Sequence, residues 1–88
     1  MHDNQLPEAV LGKRLGEAAQ QVQVGAVYMH YKGKRYQVTG LAIQEADDQV
    51  CVIYQALYGQ QLTFTRPLSN WIQTVEQDGK QAPRFAKA

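Results

Sequence analysis

The stretch that most constrains this chain is Tyr28-Met-His-Tyr-Lys-Gly-Lys-Arg-Tyr36, in which aromatic and basic residues flank a single glycine. β-Branched and aromatic residues replace helix formers around it, so it reads as a β-hairpin turning at Gly33. With Lys32-Gly33 as a two-residue loop, the register follows. Val27 then faces Val38 and Met29 faces Tyr36 on one side, while Tyr28 faces Gln37 and His30 faces Arg35 on the other. Because side chains alternate along a strand, the first side is expected to be core and the second an aromatic and polar surface.

The segments that follow read as further strands of the same small sheet. The alternation breaks at Gly40, after which Leu41 and Ile43 fall on the formerly polar side, and a bulge or bend there restores the pattern and curls the sheet. Gln44 to Gln49, with Glu45, Asp47 and Asp48, is expected to be a solvated turn. Val50 to Leu57 is apolar on both faces, so it is expected to be covered twice, once by the barrel core and once by an N-terminal helix or a second copy of the chain. Leu62 to Arg66 forms the next strand and Pro67 ends it. Leu68 to Ile72 reads as one helical turn placing Trp71 inward. Thr74 to Gln77 and Lys80 to Ala82 flank an Asp78-Gly79 hairpin turn, and Ala86 to Ala88 is expected to fray.

Ahead of the hairpin, Asn4 to Val22 carries Val10, Leu11, Leu15, Ala18 and Val22 at helical spacing, with Pro7 suited to a first turn. Gly12 and Gly16 lie one turn apart and weaken this helix unless they serve close packing. The whole pattern predicts a mainly β fold, a small SH3-like β-barrel of five or six short strands with an added N-terminal helix. The division is a helical extension over 1–24 and a barrel domain over 25–88.

At 88 residues the chain supports one core, and its net charge of +1 confines any electrostatic footprint to a local patch. Cys51 is the sole cysteine, which excludes a disulfide framework and a cysteine-based zinc site and suggests a reducing compartment. Met1-His-Asp-Asn-Gln5 shows no signal-peptide pattern, and no apolar run reaches the roughly 20 residues a spanning helix needs. A cytoplasmic protein without membrane association, monomeric or weakly dimeric, is the expectation.

From Gly25 onward four motifs stand in order: Tyr28 with His30-Tyr-Lys-Gly33; Val52, Tyr54 and Leu57-Tyr-Gly59; Arg66-Pro-Leu68; and Pro83-Arg-Phe85. In these the chain resembles the bacterial family known as domain of unknown function 1653. The resemblance implies a small barrel and a bacterial source, and it brings no established activity. The chain departs from that pattern at Gln44-Glu-Ala-Asp47, where a His-Ser-Glu-Thr-like stretch is expected, and at Phe64, where a tryptophan is expected. An extra residue separates Gly25 from Tyr28, and the helix lies outside the pattern.

No phosphate loop, nucleophile elbow, zinc-binding His pair or dinucleotide fingerprint is present, and the sequence implies no metal, cofactor or catalytic residue. The leading expectation is a non-catalytic module binding a peptide, a protein or a small planar ligand. Its groove would comprise Tyr28, His30, Arg35, Tyr54 and Arg66, with Glu45 at the rim, because rings and guanidinium groups supply stacking and forked hydrogen bonds. Tyr54 reads equally as core, and Arg66 equally as the holder of a buried carboxylate such as Glu45. Phe64 and Trp71 are expected in the core, and Arg84 is expected to tie down the tail. The alternative is single-stranded nucleic-acid binding, with Lys32, Lys34 and Arg35 on phosphate and Tyr28 and His30 stacked on bases. A third reading is a small hydrolase using His30 and Glu45. Cys51 is expected to be a small core residue rather than a nucleophile.

Overall fold

The computed structural model describes residues 6–88; Met1 to Gln5, including the expected helix start at Asn4, lie outside the described residues. The fold is mainly β. In chain order it comprises α1 (Glu8–Gln21), β1 (Val27–His30), β2 (Arg35–Gln44), β3 (Gln49–Ala56), β4 (Thr63–Pro67), α2 (Leu68–Trp71), β5 (Thr74–Gln77), β6 (Lys80–Pro83) and β7 (Phe85–Lys87). An antiparallel sheet runs β4-β3-β2-β1-β7, and β5 and β6 form a separate hairpin.

The hairpin register differs from the expectation by one residue. His30 N–H donates to Lys34 O and Gly33 N–H to His30 O, so the loop is Tyr31-Lys32-Gly33, with Gly33 at φ 100°. A three-residue loop with glycine in the left-handed region is the next most common hairpin connection after the two-residue form. Tyr28 therefore lies opposite Tyr36, and Met29 opposite Arg35. A slip of one residue exchanges the faces, so Tyr28, Tyr36 and Val38 point to the core side while Val27, Met29 and Arg35 point away.

The break at Gly40 is a register shift between Val38 and Gly40, with Thr39 as the unpaired residue. Beyond it Leu41 opposes Val52 and Ile43 opposes Val50, which returns both apolar side chains to the core side as the pattern predicted. The turn after β2 differs from a wholly solvated loop. Asp48, at φ 59°, is only 2% exposed, and its Oδ2 accepts from Leu6 N–H at 3.4 Å.

Pro7 caps α1 in an extended conformation, Glu8 occupies the first turn, and Val22 leaves the helix with φ −128°. The helix is buried most deeply at its C-terminal end. Ala18 and Val22 are fully buried, Leu11 and Leu15 are half-buried, and Val10 is exposed. Val22 joins Tyr28, Val38, Val52, Tyr54, Trp71 and Phe85 in one cluster, so the helix covers the core face of the sheet rather than supplying a second cover to β3. The glycines do not serve close packing: nothing lies within 4 Å of the position a Cβ would take on Gly12 or Gly16.

β7 is the strand missed in a count of five or six. Ala86-Lys-Ala88 was expected to fray, yet Met29 pairs with Ala86 and Ala88 N–H donates to Val27 O at 2.9 Å. Its anchor is Phe85, whose ring lies 3.6 Å from that of Trp71 and 3° from parallel. Trp71 faces inward from α2, as expected, and packs edge-on to Tyr28 and Tyr54. Among the described residues no backbone pairing joins β4 to β7, so the ladder stays open, but side chains cross the gap: the Arg66 guanidinium of β4 sits 5.1 Å from the Phe85 centroid. Asp78 and Gly79, at φ 54° and 76°, make the predicted β5–β6 turn.

Because a Cβ on Gly12 or Gly16 would enter open space and both lie inside a helix, Gly12→Ala and Gly16→Ala should each stabilise the protein by roughly 0.5–1 kcal/mol, read as a rise in the urea midpoint. Destabilisation by either alanine would show that the helix packs there.

Candidate functional site

The core side of the sheet is covered by α1 over one half only. On the other half the register places Tyr36, Tyr54, Phe64 and Arg66 on one face, with Tyr58 just beyond β3. Tyr54 is buried and forms the floor, tilted against Phe64 and edge-on to Tyr36 and Phe85. Tyr58 and Phe64 are 38% and 39% exposed and form the walls. The hydroxyls of Tyr36 and Tyr58 are hydrogen-bonded at 2.7 Å. Burial, then the bond to Tyr58, push the Tyr36 hydroxyl up to about 12, so it remains neutral at physiological pH.

Cations ring one end of this face. Arg66 donates from Nε to the Tyr54 hydroxyl at 3.1 Å and from Nη1 to Asn70 Oδ1 at 2.6 Å. Arg84 donates from Nη2 to Gln73 Oε1 at 3.2 Å, and its Nε is buried without a hydrogen-bond partner. The His30 ring stands edge-on to Phe85 at 5.0 Å. Lys32 N–H donates to His30 Nδ1 at 3.2 Å, which leaves the proton of the neutral imidazole on Nε2. The Lys34 ammonium lies 4.7 Å from the Tyr58 centroid.

Six residues were expected to form the groove, and three of them meet here: His30, Tyr54 and Arg66. Tyr28 does not; it is 7% exposed, and its hydroxyl accepts from Gln23 N–H at 2.9 Å, tying the end of the helix to the sheet. Arg35 lies on the opposite face because of the longer hairpin loop. Glu45 sits in the turn after β2, a ten-residue strand that begins beside the hairpin loop. His30 and Glu45 are therefore on the order of 30 Å apart and form no acid–base pair. Arg66 holds a tyrosine and an asparagine, not a buried carboxylate. Of the hairpin bases, Lys34 reaches the aromatic face, Lys32 lies beside Tyr31, and Arg35 points away. Burial, and next Asp47, push the Cys51 thiol up, which disfavours a nucleophilic thiolate.

Tyr36, Tyr58, Phe64 and Phe85 belong to the face, Arg84 adds its charge near His30, and the sequence reading had not placed them there. Gly33 carried the signal for Tyr36, because a single glycine suits a three-residue loop as well as a two-residue one. A separate cleft of about 330 Å³ between α1, the β2–β3 turn and α2 is lined by charges of both signs, among them Arg14, Glu17 and Asp47. Among the described residues no group of three or more His, Cys, Asp or Glu side chains is placed to hold a metal ion, and no helix is long and apolar enough to cross a membrane.

The family model of DUF1653, described as a protein of unknown function, matches residues 26–87. The crystal structure of a protein belonging to DUF1653 from Bordetella bronchiseptica is similar at 39% identity and a TM-score of 0.70, over 78% of this chain and 90% of that one. No curated protein matches the chain.

The His30 imidazole is lowered from 6.5, chiefly by burial and then by the charges of Arg66, Arg84 and Lys32. The unfolded chain therefore takes up this proton first as pH falls. The stability that His30 contributes is present above 6.5 and is lost as pH falls through the folded value. Urea midpoints measured from pH 8 to 5 should fall less in His30→Gln than in wild type. Equal slopes would contradict the assignment.

Proposed function

We propose, from the premise that the chain belongs to the DUF1653 family, that it is a non-catalytic binding module taking a peptide segment or a small planar ligand on the aromatic and cationic face. The observation that carries this reading is Arg66, part-buried over Phe85 and bonded only to neutral groups, on the same face of β4 as the exposed ring of Phe64, with the exposed ring of Tyr58 packed on Tyr36 of that face. Exposed rings with a fixed guanidinium give stacking area and directional hydrogen bonding at low entropic cost. The opposite face of the sheet has no comparable set of rings: Val27, Met29, Arg35, Gln37, Ile53 and Gln55 stand there.

Single-stranded nucleic acid is a second reading, supported by Lys34 over Tyr58, a pairing that suits a base and its phosphate. Arg35 lies on the other side and adds nothing to it. Binding through two or three phosphates should weaken more than about tenfold for a tenfold rise in salt, whereas stacking of a neutral peptide or planar ring should change little.

Tyr58→Ala separates binding from folding, since this ring is exposed at the start of a turn. In amide spectra of the labelled protein titrated with short aromatic peptides and planar heterocycles, shifts should concentrate at Tyr36, Tyr58, Phe64 and Arg66. Tyr58→Ala should weaken binding at least about tenfold with Tm near wild type. Shifts confined to Arg35, Gln37 and Gln55, or unchanged affinity in the variant, would exclude this face.

A further inference from the structure

We infer that the cationic end of this face is an oxyanion subsite, in which a carboxylate or phosphate carried on a planar ring is held by Arg66, Arg84 and His30. The inference rests on the binding-face reading above and adds to it the charge and chemistry of the ligand.

Three observations lead to it. The first is that these cations have no anionic partner. Arg66 is bonded to Tyr54 and Asn70, Arg84 to Gln73, and neither arginine has an ion pair among the described residues. Against a net charge of only +1 for the whole chain, this is a local concentration of positive charge, and such a concentration attracts an anion. The second is that their donors are incompletely used. Arg84 Nε is buried without an acceptor, Arg66 Nη2 has no partner among the described residues, and the His30 tautomer set by Lys32 N–H leaves its Nε2–H to give. Buried donors of native proteins are nearly always satisfied, so an orphan beside a binding face is a place for a water, an ion or a ligand oxygen. The third is convergence on one ring. The Arg66 guanidinium and the His30 imidazole lie 5.1 and 5.0 Å from the Phe85 centroid, and the charges of Arg66 and Arg84 both act on His30.

The planar part of the ligand follows from what adjoins this end. Phe64 stands exposed two residues before Arg66 on the same face of β4, Tyr58 stands exposed against Tyr36, and Tyr36 is edge-on to Phe85 at 6.0 Å. A ring stacked there directs its charged substituent toward the arginines, where charge-assisted hydrogen bonds are roughly twice as strong as neutral ones.

The site also has a protonic consequence. The charged groups that face His30 are Arg66, Arg84 and Lys32, and the rings packed on it are Tyr31 and Phe85. All three charges oppose imidazolium formation, so an oxyanion that offsets them favours proton uptake by His30. Affinity for the oxyanion should therefore rise as pH is lowered through the imidazole range.

The test titrates the full chain with benzoate, phenyl phosphate and benzamide, followed by amide shifts and by the imidazole resonances of His30. Benzoate, phenyl phosphate or both should bind at least about tenfold tighter than neutral, isosteric benzamide. Arg84→Gln should weaken binding of the anions at least about tenfold more than binding of benzamide, which collapses that preference, and the His30 titration midpoint should rise with the anions only. The ranking of benzoate against phenyl phosphate identifies which oxyanion the subsite takes. Equal binding of benzamide and both anions on the aromatic face, with no movement of the His30 midpoint, would overturn the oxyanion subsite and leave the binding face standing. No shift at Tyr36, Tyr58 or Phe64 with any of the three would overturn both.

Discussion

The stack of Trp71 on Phe85 joins the two pieces of chain that the backbone ladder leaves apart. Trp71 follows β4 at one edge of the sheet, and Phe85 opens β7 at the other. In a flat sheet these edge strands would stand roughly 19 Å apart, four inter-strand spacings. Instead Arg66 of β4 lies 5.1 Å from Phe85 of β7, and Tyr54 of β3 lies 5.8 Å from it. The sheet is curled until its edges meet through side chains, which is how a five-stranded ladder forms a core without completing its hydrogen bonds. The bulge at Thr39 supplies local bending, and the aromatic cluster holds the result.

This closure also shapes the candidate site. A curled sheet has an inner face, and α1 covers only the part of it around Val22, Val38 and Val52. The remaining part is lined by rings whose edges are already committed to one another, with a guanidinium fixed among neutral partners. The rigidity of the cluster and the incomplete satisfaction of its charges have the same origin. Arg66 stays in place because Tyr54, Asn70 and Phe85 hold it, and none of them neutralises it.

Much of the fold was legible where a single residue dictates local geometry. Gly40 announced the bulge, Pro67 the end of β4 and Asp78-Gly79 the second hairpin, and the isolated bulky Trp71 announced its inward position. The family resemblance stands as well, over residues 26–87. What the sequence left open turned on choices between near-equal local options. Gly33 suits loops of two or three residues, and the longer one brought Tyr28 and His30 onto the core side with Tyr36, leaving Arg35 on the opposite face with Met29. β7 has little strand propensity in Ala86-Lys-Ala88 and exists because Phe85 is anchored by tertiary contact. Asp48 read as solvated because burial of a turn carboxylate depends on what folds over it. Of the expected groove, His30, Tyr54 and Arg66 share a site because the register change carries His30 onto the inner face, where β3 and β4 set Tyr54 and Arg66, while Glu45 belongs to the far end of the β2–β3 hairpin.

The central claim is that side-chain contact between β4 and β7 closes the sheet and builds the ligand face. Its most direct test is the nuclear Overhauser spectrum between the Arg66 side-chain protons and the ring protons of Phe85. At 5.1 Å from guanidinium carbon to ring centroid, clear cross-peaks are expected, together with upfield ring-current shifts of the Arg66 methylenes. An Arg66 without cross-peaks to Phe85 would mean a sheet whose edges stay apart, and would contradict both the closure and the site built on it.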